Sequence, residues 1–240
     1  MRVSEDCLLC SVCVPYCPMG AISMDYPGII NQDECVDCGV CERASVCPID
    51  GLHQPDESWP RSLRAAFSNP LVTHPQTRIP GRGTEEMKTN EVTGRYRHGY
   101  AGMAVELGRP GTGARFLDVQ KVAQAIAALG SIEFEPKNPV TFLMLDKTTG
   151  TLNPEVLNEK VLSAIVEFTV PLSRVPEVLK ALRDVADRVS TVFSVDLISR
   201  VERDGSVPTE GLMAQLGVPI SINGKTNIGL GRPLAQEVQP

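Results

Sequence analysis

A chain of 240 residues with 42% hydrophobic content has room for one large or two modest domains, each with its own core. Lys and Arg number 23 against 29 Asp and Glu, a net charge of −6, and no apolar run is long enough to span a bilayer, so the sequence predicts neither a membrane protein nor a generally basic nucleic-acid binder. Met1 to Asp6 runs into the first cysteine without an apolar stretch, so no secretory signal is predicted and a reducing, cytoplasmic setting is expected.

All eight cysteines fall between Cys7 and Cys47. This head is also acidic: residues 1–57 hold Glu5, Asp6, Asp25, Asp33, Glu34, Asp37, Glu42, Asp50, Asp56 and Glu57 against Arg2 and Arg43, a balance of −8. Residues 61–115 carry nine basic side chains against four acids, a balance of +5. An acidic head on a basic neck is poorly suited to nucleic acid, because phosphate recognition needs a clustered basic face. The cysteines form two groups, Cys7-x2-Cys10-x2-Cys13-x3-Cys17-Pro18 and Cys35-x2-Cys38-x2-Cys41-x5-Cys47-Pro48. Three thiols at two-residue intervals let one short loop wrap three corners of a cubane cluster, leaving one iron for a thiolate from elsewhere. Zinc prefers two separated pairs of ligands, and a disulfide framework does not belong in a reducing compartment.

Over residues 1–52 the chain resembles the bacterial two-cluster ferredoxins, including Pro18, Pro48 and the run Gly20-Ala21-Ile22. The resemblance implies two [4Fe-4S] clusters with crossed fourth ligands: Cys7, Cys10, Cys13 and Cys47 for one, Cys35, Cys38, Cys41 and Cys17 for the other. Gly39 fits as a position where backbone N–H groups approach sulfur. The second group departs from the pattern by a small insertion, Glu42 to Val46, beside one cluster. Four thiolates, one on each iron, complete the coordination of a cubane cluster, so such clusters pass single electrons and offer substrate no open position.

From His53 to Pro80 the chain is rich in Pro, Ser, His and Asn and reads as extended, irregular linker, with Trp59 packing it down. Residues 79–97 are dense in Gly, Thr, Asn, Arg and Glu without periodicity. There Arg82, Arg95 and Arg97 are candidates either for an anionic ligand or for holding the acidic head. Gly108-Arg109-Pro110-Gly111-Thr112-Gly113 lacks the spacing of a nucleotide loop, but Arg109 and the helix that follows make it a candidate anion turn.

Beyond it, Ala101 to Leu107 alternates as a strand, and Phe116, Val119, Val122, Ala123 and Ile126 form one stripe of a helix over 116–129. Alternation resumes over Ile132 to Met144, interrupted by Pro136 and Pro139, and a short helical piece is predicted near Pro154 to Leu162. The order then repeats as a strand over 164–170, a helix over 175–188 and a strand over 191–201, with Val105-Glu106 and Pro110 matched by Val166-Glu167 and Pro171. Two β-α-β units in tandem predict an α+β chain: a head over 1–57, a linker over 58–98, and a ferredoxin-like βαββαβ sandwich over 99–240, whose open sheet face is available for a partner or an oligomer. Asn223-Gly224 predicts a hairpin in the tail. His53, His74 and His98 stand isolated in polar segments, and no catalytic residue is assigned.

The run from Gly81 to Arg95, with Val105 to Pro110 and Phe116 to Val119, resembles the segment after the clusters in 6-hydroxynicotinate reductases. This implies an oxidoreductase setting in anaerobic metabolism, with low-potential electrons reducing an N-heterocycle and a flavin in a partner subunit. Three functions follow: an electron-delivering subunit docked to a redox partner or catalytic subunit, a complete reductase whose arginines hold an anionic substrate, or a redox-linked sensing or assembly module.

Overall fold

The computed structural model describes residues 1–24, 29–80, 95–109 and 111–221. In the head, β1 (Arg2–Val3) pairs antiparallel with β4 (Leu52–His53), and β2 (Ile22–Ser23) with β3 (Ile29–Ile30). The single helical turn α1 (Val40–Arg43) lies between β3 and β4. Met1, Ala21, Ile22, Ile30 and Leu52 make a small core around Cys35 and Cys41. So few apolar side chains bury little area, and such a unit depends on something besides its core to hold it.

The chain next forms α2 (Ser62–Ser68), where the sequence predicted irregular linker. Leu63, Ala66 and Phe67 recur at helical spacing and join the large C-terminal core, whereas Arg61 and Arg64 reach back to the head. The prolines on either side hid a short amphipathic helix, because Pro60 is compatible with a helix start and Pro70 with its end. Trp59 is 47% exposed, and its indole N–H donates to Glu155 (2.8 Å).

The C-terminal unit is built on β5 (Tyr100–Leu107), which pairs antiparallel with both β11 (Ala164–Pro171) and β12 (Phe193–Ile198). β7 (Glu133–Phe134) pairs with the far side of β11, giving the strand order β12-β5-β11-β7. Val105 and Val166, equivalent in the sequence repeat, face each other directly in the register. Helices α3 (Phe116–Ala127) and α5 (Val175–Ala186) pack side by side. Their stripes, Val119, Val122 and Ile126 with Val178, Leu182 and Val185, share one core with Met103, Val105, Val166 and Phe168. The predicted stripe of α3 is fully buried. The opposite sheet face is partly covered by Tyr96, whose ring lies against Gly102, where a Cβ would also meet Ile198 at 2.6 Å.

Short elements depart from expectation where proline and asparagine intervene. Over 132–144 the predicted alternation gives only β7, followed by the turn α4 (Pro139–Phe142), whose start Asn138 caps by accepting from the Val140 N–H (2.8 Å). A hairpin follows, β8 (Met144–Asp146) with β9 (Thr151–Leu152). The piece expected near 154–162 is a 3₁₀ turn, Pro154–Val156, and then β10 (Lys160–Val161), which pairs with β6 (Ala114–Arg115). Helix α6 (Pro208–Leu216), unpredicted, starts on Pro208 and ends at Gly217 with φ +62°. The Asn223-Gly224 hairpin lies outside the described residues.

Candidate metal centre

The two cysteine groups repeat one backbone path. The residues on either side of each middle cysteine are left-handed: Leu9 (φ 53°) and Ser11 (63°) around Cys10, Asp37 (52°) and Gly39 (68°) around Cys38. Such a conformation is unfavourable for residues with a Cβ and persists only where the surroundings impose it. The repeat extends to the last cysteines. The N–H of Ala21 donates to Cys17 Sγ (3.2 Å), and that of Gly51 to Cys47 Sγ (3.1 Å). Each sulfur therefore already accepts a backbone donor, the kind of contact that stabilises a thiolate ligand.

These paths fold the eight thiols around two cavities. Cys17, Cys35, Cys38 and Cys41 line one, walled by Met1, Met19, Ile22 and Ile30. Cys7, Cys10, Cys13 and Cys47 line the other, with Leu8, Ile49 and Leu52. In each cavity three thiols come from one group and the last from the other. Cys35, Cys38 and Cys41 are buried, whereas Cys10 is exposed and Leu8 (62%) and Ile49 (38%) are open beside it. We call the first cavity inner and the second outer.

All eight cysteines are free thiols. Among the described residues no three His, Cys, Asp or Glu side chains converge as a single-ion site. The donors surround a volume rather than a point, a shape that fits a polynuclear iron–sulfur group better than one tetrahedral ion. Burial pushes the Cys13, Cys35 and Cys38 thiols up, and that of Cys41 up to about 11. Arg43 opposes this at Cys38, and the amino terminus opposes it at Cys35. Metal loading must therefore displace protons from these thiols.

Gly39 takes a left-handed conformation that Ser11 shares in the outer loop. A Cβ on Gly39 would lie 2.5 Å from Arg43 Nη1. Arg43 belongs to the insertion over Glu42 to Val46. The extra residues complete α1, and the guanidinium turns back to donate to the Cys38 carbonyl (2.9 Å) and Asn69 Oδ1 (2.9 Å).

The inner side of the head is held against the rest of the chain by basic groups that the sequence did not single out. Arg64, 4% exposed, donates to the carbonyls of Gln32 (2.8 Å), Asp33 (3.1 Å) and Cys35 (2.7 Å), and its Nε to Glu159 (2.5 Å). Arg61 donates to the Gln32 carbonyl (2.8 Å) and pairs with Asp37, which also pairs with the amino terminus. From the β6–β10 pair, Arg115 grips Asp33 (2.7 Å) and Glu34 (3.1 Å), and Lys160 pairs with Glu34. The Arg115 guanidinium holds the Asp33 carboxyl below its ordinary range.

The arginines predicted for anions lie elsewhere. Arg95 pairs with Glu135 (2.5 Å) and Glu133 (3.6 Å) at β7, Arg97 stacks over Tyr100 (5.3 Å), and Arg109 bonds Glu106 (3.0 Å). Arg82 lies outside the described residues. His74, which stands isolated in a polar segment of the sequence, is 1% exposed and packs edge-on against Phe67 (5.5 Å), so burial lowers its pKa. Among the described residues no helix is long and apolar enough to cross a membrane.

Comparison with known proteins bears on the same part of the chain. Ferredoxin-1 of Caulobacter vibrioides is 42% identical over 60 residues, 22% of this chain and 48% of that protein. The ferredoxin of Rickettsia felis is 40% identical over 53 residues, 21% of this chain and 47% of that one. Ferredoxin-2 of Chlorobaculum tepidum is 39% identical over 54 residues, 20% of this chain but 87% of its own length. No family model and no solved structure matches. With eight thiols around two cavities, these relatives mark the N-terminal segment as an iron–sulfur unit of the electron-transfer kind. Through its N-terminal segment the chain belongs to the ferredoxin family. It spans about half the length of the Caulobacter and Rickettsia proteins. The resemblance to 6-hydroxynicotinate reductases finds no support in these comparisons.

Proposed function

We propose that the chain carries two [4Fe-4S] clusters, one held by Cys7, Cys10, Cys13 and Cys47 and one by Cys17, Cys35, Cys38 and Cys41, and relays single low-potential electrons to a partner reductase in the cytoplasm. The observation that carries this reading is the sorting of eight free thiols into two four-thiol cavities, each completed by a cysteine of the other group. The clusters supply one-electron exchange without proton or substrate chemistry. The protein's part is to fix the thiolates, to donate N–H groups to Cys17 and Cys47, and to leave the Cys10 side open to a redox partner while the other side is covered. Any flavin of the acceptor belongs to that partner.

The C-terminal unit is, in this reading, a ferredoxin-like split βαβ sandwich over 99–240, supported by the order β12-β5-β11-β7 with both long helices on one face. It serves as the platform on which the head over 1–57 is mounted. Anaerobic reconstitution of the full chain should give roughly eight irons, with two interacting paramagnetic centres after full reduction. A folded product that takes up one metal ion, or about four irons, would overturn the two-cluster reading.

A further inference from the structure

The two cavities are alike in thiols and unlike in charge. Around the inner one, Arg43 donates to the Cys38 carbonyl at 2.9 Å and Arg64 to the Cys35 carbonyl at 2.7 Å, so two guanidinium groups contact the backbone of two of its four cysteines. The amino terminus and Arg61 pair with Asp37. The remaining charges on this side are Asp33 and Glu34, paired with Arg115 and Lys160, Glu57, paired with Arg61 and Arg2, Glu159, paired with Arg64, and exposed Glu42. Seven cationic groups there stand against six carboxylates. The outer cavity is different: Glu5, Asp6 and Asp50 adjoin its cysteines, and the sequence has no Lys, Arg or His from Val3 to Glu42 or from Ala44 to Leu52.

A thiolate-ligated cluster becomes more negative on reduction, so nearby cations favour its reduced form and burial alone opposes it. Both act at the inner cavity. The cations prevail because Arg64 and the amino terminus act through a buried shell, where a low dielectric strengthens their field, and Arg43, itself exposed, is fixed on the Cys38 carbonyl and Asn69 by two hydrogen bonds, whereas the exposed outer acids act across water. We propose that Arg43 and Arg64 poise the inner centre at a higher potential than the outer one, so that an electron entering at the exposed Cys10 side comes to rest on the inner side. One electron leaves the outer centre, oxidising it by one, and enters the inner centre, reducing it by one; no proton or atom moves. The inference rests on the two-cluster reading above.

The test is a reductive titration of the reconstituted full chain with a low-potential one-electron donor, a reduced viologen, followed by paramagnetic resonance. The wild-type chain should show two one-electron steps. Arg43→Gln should lower the upper step and leave the lower one in place, by the equivalent of about a tenfold change in electron distribution, 59 mV for a one-electron couple. Arg43→Lys should recover much of that shift. Gly39→Ala, which crowds Arg43 without removing its charge, should shift the same step. Because Arg64→Gln also loosens the mount of the head, Arg64→Lys is the companion variant and should keep the upper step near its wild-type position. Eight irons and two steps, with Arg43→Gln moving only the lower step or neither, would overturn the poise and spare the two-cluster reading. Eight irons reduced in a single unresolved step would likewise overturn the poise alone, and fewer irons would overturn both.

Discussion

Arg64→Ala tests whether the head is rigidly mounted or merely tethered. The guanidinium is almost wholly buried and its Glu159 partner is 14% exposed. Its loss strands the Asp33 and Cys35 carbonyls, removes one of two donors to the Gln32 carbonyl, and leaves the Glu159 carboxylate unpaired at a buried junction. Breaking a buried ion pair from one side costs about 3–5 kcal/mol, because the remaining charge keeps its desolvation penalty. The exposed Arg115–Asp33 pair contributes about 0.2–1 kcal/mol and cannot compensate. A loss of about 3 kcal/mol raises the population of undocked head roughly a hundredfold. Limited proteolysis of the segment joining β4 to α2 reads that population when opening is fast relative to cleavage. Cleavage should accelerate by about two orders of magnitude, and a Glu159→Ala background should remove much of the effect. Acceleration of less than about threefold would show that Arg64 does not hold the head, and the mounting argument would fail.

Phe67→Ala should destabilise the chain by about 3–5 kcal/mol, since the ring is 1% exposed and packs edge-on against both Phe116 (5.1 Å) and His74, and the resulting fall in thermal midpoint is its measure. Metal-free chain should lose stability as pH rises from about 9 toward about 11. A thiol whose folded pKa is raised binds its proton more tightly folded than unfolded, so its contribution is present below the unfolded value and lost on passing the folded one; chemical unfolding across that range checks the sign, and the trend should weaken in Cys41→Ala, with Cys13, Cys35 and Cys38 carrying what remains. Gly102→Ala should lower thermal stability by about 1–3 kcal/mol, because the new methyl drives into the Tyr96 ring and Ile198, and tyrosine fluorescence should report the displaced ring.

The cysteine groups were legible because cluster ligation is local: spacing, the prolines after Cys17 and Cys47 and the small residues nearby are all written in the chain. The long elements of the C-terminal unit were legible for a similar reason, since α3 and α5 carry whole apolar stripes and β5 and β11 sit in a repeat whose valines meet in register. Helix α2 was not recognised, although Leu63, Ala66 and Phe67 carry the right period, because only one apolar stripe of two turns lies between prolines. Helix α6 has Pro208 as its start signal and Gly217 as its stop. Charge told that an acidic head and a basic neck lie side by side in sequence, but not which arginines meet which acids. Arg61 and Arg64 reach the head because they lie three residues apart at the start of α2, and Arg115 because β6 is held by β10. Arg95, of the same basic neck, is drawn to Glu133 and Glu135 by the position of β7. The role of the insertion was visible only once α1 turned Arg43 back on Cys38.

The central claim is that the last cysteine of each group serves the other group's cavity. Cys17→Ala in the full chain, reconstituted anaerobically and followed by paramagnetic resonance and by thiol labelling of the uncoordinated cysteines, tests it most directly. The account predicts that Cys35, Cys38 and Cys41 become reactive or hold an altered centre, while the centre of Cys7, Cys10, Cys13 and Cys47 keeps its signal. Loss of the Cys7 group's centre, with that of Cys35, Cys38 and Cys41 intact, would contradict it.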